Sequence, residues 1–409
     1  MNKEQDVAVT GIGLVSPLGT NLDSLWDSIL SRKNGISYLP SNFEYLNNYG
    51  LNLAGVASNF SFNIFNEISL KSKKNIIKLN MQTQMLMYAF IYALFDAKLD
   101  YVEQDISSII GCGTCSIKQY GNSTLDEEIP TSFFNTYPNI LLGRIYHYLS
   151  LKGYGMTILG ACCGGMQAIG EAYKKIKNNE EEIMLAGGTD DKLNELSVCG
   201  YSKLGMFSTS TDPNNAMNPF DKNRNGFVIG QGACVLVLER MDRALARGAT
   251  IYGKIKGYGT CIDPLSISDA SSNGKIRAME KALSDANISY EKVGYINAHG
   301  TATKSNDYEE SKAIEVVFKD FSDKIPVSST KSYIGHTFAA CGAIQSAICL
   351  QTLKTQTIHD NRNFVVADKD VKLNLITRPL RVDNLEYCIG NTSGLGGYNA
   401  SLVFQRYKW

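Results

Sequence analysis

The sequence predicts an α/β fold. Short β-rich runs alternate with helix-periodic stretches along the whole chain, and glycines gather where the two kinds of run meet. The composition, 44% hydrophobic and 20% charged, lies inside the globular range. The β-rich runs of the first part are 7–12, 108–111, 156–159, 182–186 and 233–239. A second set follows at 251–259, 294–298, 327–329, 387–391 and 400–405. Helices are expected at 166–176, 275–286, 308–317 and 341–353, where apolar residues recur near helical spacing and Gly or polar residues mark the ends. The strongest apolar run, 85–95, is about half the ~20 residues that cross a bilayer, so it predicts a buried helix and no membrane span. At 409 residues the chain is long enough for two core-bearing units, and the break near 248–253 predicts halves 1–250 and 251–409.

Charge and cysteine usage exclude several classes of function. Lys plus Arg equals Asp plus Glu at 40 each, so no global field points to nucleic acid or an anionic membrane. A polar start that runs straight into an apolar strand is the wrong order for a secretory signal, which predicts a cytoplasmic protein. Ten cysteines in such a chain read as reduced thiols. Cys112 and Cys115 form a lone C-x-x-C with no second pair or nearby His, so no metal site is expected. No phosphate-binding glycine motif stands between a strand and a helix, so no tightly bound cofactor is expected either.

Three segments carry chemistry. Gly160-Ala161-Cys162-Cys163-Gly164-Gly165 lies between a β-run and a helical pattern, where small residues permit a sharp elbow and the N–H groups of a helix start favour thiolate. Taken alone, such a cysteine fits packing as well as catalysis. Only four histidines exist, and two, His299 and His336, follow strands among small residues, where an imidazole is presented at a strand end.

Together, Ala161-Cys162-x-x-Gly165, His299-Gly300-Thr301-x-Thr303 and Lys331-Ser332-x-x-Gly335-His336 resemble the elongating β-ketoacyl-acyl-carrier-protein synthases of fatty-acid and polyketide assembly. The resemblance spans nearly the whole chain, from Val7-Ala8-Val9-Thr10-Gly11 through Asn218-Pro219-Phe220-Asp221 to Gly394-Leu395-Gly396-Gly397. It implies a thiolase fold of two similar βαβαβαββ halves in a layered αβαβα core. It also implies a decarboxylative Claisen condensation: Cys162 accepts the acyl group, and His299 and His336 stabilise the malonyl-derived carbanion. The backbone N–H groups of Cys162 and Leu395 would form the oxyanion hole, Lys331 and Glu310 a supporting ion pair. Thr301 and Thr303 would hold the phosphopantetheine arm of an acyl carrier protein, and Phe227 would stand where the acyl and malonyl sites meet.

The sequence departs from the family at several points. Cys163 offers a second thiol, although the Ala161-Cys162 register favours Cys162 as nucleophile. Leu395 replaces the usual gating Phe, and Tyr398 a Thr. Thr303-Lys304-Ser305-Asn306-Asp307 is similar to the type II polyketide ketosynthases, which favours a polyketide or polyene pathway over fatty-acid synthesis. Retention of Cys162, His299, His336 and Lys331 argues against a non-condensing chain-length-factor-like subunit, and the paired histidines against a coenzyme-A-dependent starter synthase or a Cys–His hydrolase. Lys71, Lys73, Lys74 and Lys78, the densest basic stretch, are the expected docking face for the acidic carrier. A homodimer and a heterodimer with a ketosynthase-like sister both fit.

Overall fold

The computed structural model describes residues 5–65, 70–100, 105–113, 134, 137–264 and 270–408. Cys115 lies outside them. Among the described residues a mixed sheet of eleven strands forms the frame. In the first part these are β1 (Val7–Val15), β2 (Ser107–Cys112), β3 (Gly155–Leu159), β4 (Ile183–Asp190) and β5 (Gly232–Arg240). The second part supplies β6 (Gly253–Ile262), β7 (Val293–Asn297), β8 (Pro326–Ser328), β9 (Asn374–Leu375), β10 (Tyr387–Gly394) and β11 (Tyr398–Gln405).

Their order across the sheet is β9-β8-β7-β10-β11-β6-β1-β5-β4-β2-β3. Reading outward from the centre, each part therefore runs first strand, last strand, penultimate, second, third, and the second part adds the short β9 at its outer edge. The two are joined by antiparallel pairing of β1 with β6 over Val7–Ile255, Ala8–Lys254 and Val9–Gly253. All nine residues of β1 are buried, as are Val235 to Leu238 of β5. Both faces of these strands are covered, which is why they read as continuous apolar runs rather than alternating ones.

Helices form the layers. The apolar run near residue 85 lies within α1 (Met81–Asp96), which the Asn80 side chain caps by accepting from Thr83 N at 2.8 Å, and which packs on β1 and β5. Helix α2 (Gly164–Lys177) contacts strands of both parts. On the far side lie α3 (Ser272–Ala286) and α4 (Lys304–Phe318), packed on each other and, through α3, on β6 and β11. Helix α5 (Cys341–Thr355), buried from Cys341 to Leu353, packs against α2 and touches β4, β5, β10 and β11. The order is thus helix, strand, helix pair, strand, helix. No helix among the described residues is long and apolar enough to cross a membrane. β3 closes the sheet as an edge, with Leu159 exposed.

One buried histidine gives the fold a pH dependence. His359 Nε2 sits 3.1 Å from Tyr295 Oη and 3.2 Å from Thr330 Oγ1, and burial lowers its pKa to about 3. A depressed folded pKa means that the unfolded chain binds the proton first. This stability is complete above about pH 6.5, the ordinary histidine value, and is lost as pH falls toward 3. Between pH 7 and pH 5 the loss from this group should be about 2 kcal/mol. Denaturant unfolding of wild type and His359→Gln at both pH values checks it. His299 and His336 act in the same direction and Asp307, raised to about 6, acts against them, but all three are common to both proteins. An equal pH 7-to-5 loss in wild type and variant would sink the assignment.

Candidate active site

Cys162 stands on a 3₁₀ turn, Ala161–Cys163, between β3 and α2. Ala161 has φ +47°, a left-handed conformation that a residue with a Cβ adopts at a cost of about 1 kcal/mol. Gly165 lets the elbow press on the loop that follows His336, since a Cβ there would lie 2.4 Å from Ala339 O. The two neighbouring thiols diverge. Cys162 lines a cavity of about 310 Å³, whereas Cys163 is fully buried in the core and donates to Tyr398 O at 3.3 Å.

The expectation that the helix start favours thiolate is corrected by burial. Desolvation pushes the Cys162 thiol well above its ordinary range, the Cys341 and Cys163 thiols add to this, and the Lys331 ammonium opposes it. The resting group is a thiol.

His299, just beyond the end of β7, and His336, after the helical turn Lys331–Ile334, face one another with ring centroids 5.4 Å apart and planes at 83°. Phe338 stacks on His336 at 4.6 Å, and Phe227 meets its edge at 5.4 Å. The tautomers follow from the donors behind the rings. Phe338 N donates to His336 Nδ1 at 3.2 Å, and the Lys331 ammonium, which has no lone pair, approaches His299 Nδ1 at 3.3 Å. Both Nδ1 atoms therefore accept, and both protons sit on Nε2. Burial, then Lys331, His336 and Lys275, hold His299 well below its ordinary range; burial, then Lys331, does the same to His336. The pocket thus holds two neutral imidazoles, each a donor through Nε2.

The expected ion pair between Lys331 and Glu310 is not formed. Lys331 Nζ donates to His299 O at 2.6 Å and to Gln345 Oε1 at 3.2 Å. Glu310 spends both oxygens on the N–H groups of His299 and Gly300, at 2.7 and 2.8 Å. The physical reason is position: the Glu310 carboxylate caps the chain after β7, while Gln345 reaches Lys331 from α5. Gln345, with its amide nitrogen shared among Asn297, Ala298 O and Asn391 O, is a residue the sequence reading missed.

Thr301, Thr303, Phe227 and Leu395 line the same cavity, and the two threonine hydroxyls lie 3.0 Å apart. Asp307 fixes the threonine segment by accepting from Thr301 N and Ala302 N at 2.9 and 3.1 Å. Leu395 belongs to the turn between β10 and β11, and a Cβ on Gly394 would come 3.1 Å from Cys162 N, which brings this turn against the elbow. Tyr201, Phe338, Lys275 and Ser393 also line the cavity and were not singled out in the sequence. Of the expected docking lysines, Lys73 and Lys74 border a separate cavity of about 690 Å³, Lys78 is exposed, and the Lys71 side chain lies outside the described residues.

A repeated strand order, a cysteine on the elbow of the first part and two histidines from the second define a thiolase-fold enzyme with a Cys-His-His site. The sequence matches the "Beta-ketoacyl synthase, N-terminal domain" family over residues 4–244 and the "Beta-ketoacyl synthase, C-terminal domain" over 252–365. The chain belongs to the β-ketoacyl synthase family. It is 34% identical to a 3-oxoacyl-[acyl-carrier-protein] synthase 2 of Vibrio harveyi over 98% of each chain. Among solved structures, a β-ketoacyl synthase from Burkholderia phymatum STM815 matches with TM-score 0.90 and 29% identity over 99% of this chain and 100% of that one. A type II polyketide acyl-carrier protein in complex with its ketosynthase bound to the hexaketide, AntDE:AntF, matches with TM-score 0.86 and 26% identity, covering 99% and 100%.

Proposed function

We propose that the protein is a β-ketoacyl-acyl-carrier-protein synthase that extends an acyl chain by decarboxylative Claisen condensation. The observation that carries this reading is two buried histidines in one pocket with Cys162, each with a donor held against Nδ1, an arrangement that leaves Nε2–H to donate. A Cys–His hydrolase needs the opposite tautomer, with Nδ1–H held by a carboxylate or amide and Nε2 as the base.

In the first half-reaction Cys162 exchanges thioesters with the acyl carrier. The thiol proton ends on the departing pantetheine thiol, so a protonated resting cysteine balances. In the second, the malonyl carboxylate leaves as carbon dioxide and its electron pair moves into an enolate, whose oxygen the two Nε2–H groups stabilise. The carbanion attacks the acyl-Cys162 carbonyl, and the expelled thiolate takes up a proton, as its raised pKa favours. The N–H groups of Cys162 and Leu395 serve as the oxyanion hole, and Thr301 and Thr303 hold the pantetheine arm. The run Thr303-Lys304-Ser305-Asn306-Asp307 and the aromatic Tyr398 support a polyketide or polyene substrate. The β3 edge, which carries no further strand among the described residues, supports a dimer, with itself or with a ketosynthase-like sister, since such an edge is a template for strand pairing. Intact-mass measurement after incubation with a panel of acyl carriers, followed by malonyl carrier, tests the reading. Acyl-Cys162 that is then discharged with release of carbon dioxide is the expected result; acylation followed by simple hydrolysis would refute it.

The carrier docks through Lys71, Lys73, Lys74 and Lys78. Rim charges act mainly on association, and salt screens them with a length of about 8 Å near physiological ionic strength. Lys73→Glu with Lys74→Glu should raise KM for the carrier substrate at low salt and flatten its salt dependence, with turnover of a small acyl-thioester mimic unchanged. An unaltered carrier KM would move the docking face elsewhere.

A further inference from the structure

The first turn of α3 carries a lysine that the chemistry above leaves unused. Lys275 is buried, and it lines the cavity shared by Cys162, His299 and His336. A lysine ordinarily extends its ammonium to water. Here Nζ stays inside, donating to Asn306 Oδ1 at 2.9 Å and Ser393 Oγ at 2.5 Å. Both acceptors are aimed by further bonds. The Asn306 amide nitrogen donates to Asp307 Oδ1 at 3.1 Å, which turns its oxygen toward Lys275. The Ser393 hydroxyl donates to Asn399 Oδ1 at 2.8 Å, which leaves a lone pair for the lysine.

The seat is built, but it is neutral. No carboxylate among the described residues forms an ion pair with Lys275. Glu310, Asp307 and Glu309 act on it only through space, and burial works against its charge. An ammonium has three donors, and two are spent. A buried ammonium that no carboxylate touches directly keeps its third donor for an anion that enters the cavity. In the proposed reaction the thioester and the acyl group are neutral, and the phosphate lies at the far end of the pantetheine arm. The remaining anion that enters the cavity is the malonyl carboxylate. Lys275 lines the same cavity as His299 and His336, where the extender is activated in the proposed reaction.

We propose that Lys275, seated by Asn306 and Ser393, captures the carboxylate of the malonyl extender and so sets the preference for a carboxyl-bearing thioester. This rests on the condensing reading above. The contact is made before the carbon–carbon bond breaks and is lost with carbon dioxide, while Lys275 keeps its proton. It therefore strengthens extender binding without lowering the barrier, and its signature lies in KM.

The test compares wild type, Lys275→Met and Lys275→Arg in carbon dioxide release from malonyl carrier, with acetyl carrier as a competitor that lacks the carboxylate. In Lys275→Met the malonyl KM should rise about 10-fold or more, as for loss of a charge-assisted hydrogen bond, with kcat within about 3-fold. Inhibition by acetyl carrier should be unchanged, and Lys275→Arg should retain most of the wild-type KM. Should Lys275→Met fail to fold, Ser393→Ala unseats the ammonium without removing it and should raise the malonyl KM about 3-fold. An unchanged malonyl KM overturns the proposal. So does an equal loss of malonyl and acetyl binding, which would make Lys275 part of the wall only. Wild type that releases no carbon dioxide overturns the condensing reading along with it, whereas an active wild type beside an unaltered Lys275→Met overturns carboxylate capture alone.

Discussion

Cys162→Ala should abolish acyl loading and condensation, while Cys163→Ala should keep most of both. The two thiols are adjacent in sequence and differ in what they face. Cys162 lines the cavity with His299 and His336, in the middle of a turn strained at Ala161. Cys163 is fully buried in the core, its sulfur bonded to Tyr398 O, and its pKa is pushed up to about 12 by burial. A thiol held there is a packing atom. Removing it leaves a cavity smaller than a methionine or leucine truncation would, so Cys163→Ala should cost about 1 kcal/mol of stability and little activity. Intact-mass and peptide mapping after acyl-carrier treatment read this directly. An acyl adduct on Cys163, or loading retained by Cys162→Ala, would place the nucleophile one residue on and invalidate the register drawn from Ala161.

Much of the frame was legible because it depends on local pattern. Val7-Ala8-Val9 and 235–238 read as strands through continuous apolar character, and they are strands buried on both faces. The helices expected at 275–286 and 308–317 are present, but each begins three or four residues earlier, behind the caps Ser271 and Thr303. The three motifs located Cys162, His299 and His336, since small residues around a reactive side chain are readable in one dimension.

What failed depends on docking. The family resemblance paired Lys331 with Glu310, but its partner, Gln345, is set by where α5 lies against the ends of β7 and β10. A faint signal existed: Gln345, with Ser346, interrupts the small and apolar residues 341–350, one turn from Cys341. The thiol pKa was misjudged for a similar reason. A helix start is visible in sequence, whereas the burial of Cys162 comes from tertiary packing, with Phe338 and Cys341 in the same cluster and the Gly394 turn against the elbow. Lys275 carries no signal at all, because a lysine in a first helical turn is normally solvated.

His299→Ala and His336→Ala should each slow malonyl decarboxylation by about 10²–10³, the usual loss for one well-placed oxyanion donor, and slow acylation of Cys162 far less. The two half-reactions draw on different donors. Acylation develops negative charge on a carbonyl oxygen beside the elbow, where the N–H groups of Cys162 and Leu395 are proposed to lie. Decarboxylation develops it on the malonyl thioester oxygen, which both Nε2–H groups are proposed to bind, with Lys331 and Phe338 N holding the opposite nitrogens as acceptors. Since burial and Lys331 keep both imidazoles neutral, their donor character should persist without a pH step between pH 6 and 8. Substitution by asparagine, which restores one N–H donor of similar reach, should recover part of the decarboxylation rate at either position. Rapid-quench acylation and carbon dioxide release, measured on the same preparations, separate the two steps. Equal losses in both half-reactions for both alanine variants, with no recovery by asparagine, would show that the histidines hold the pocket together rather than stabilise the enolate.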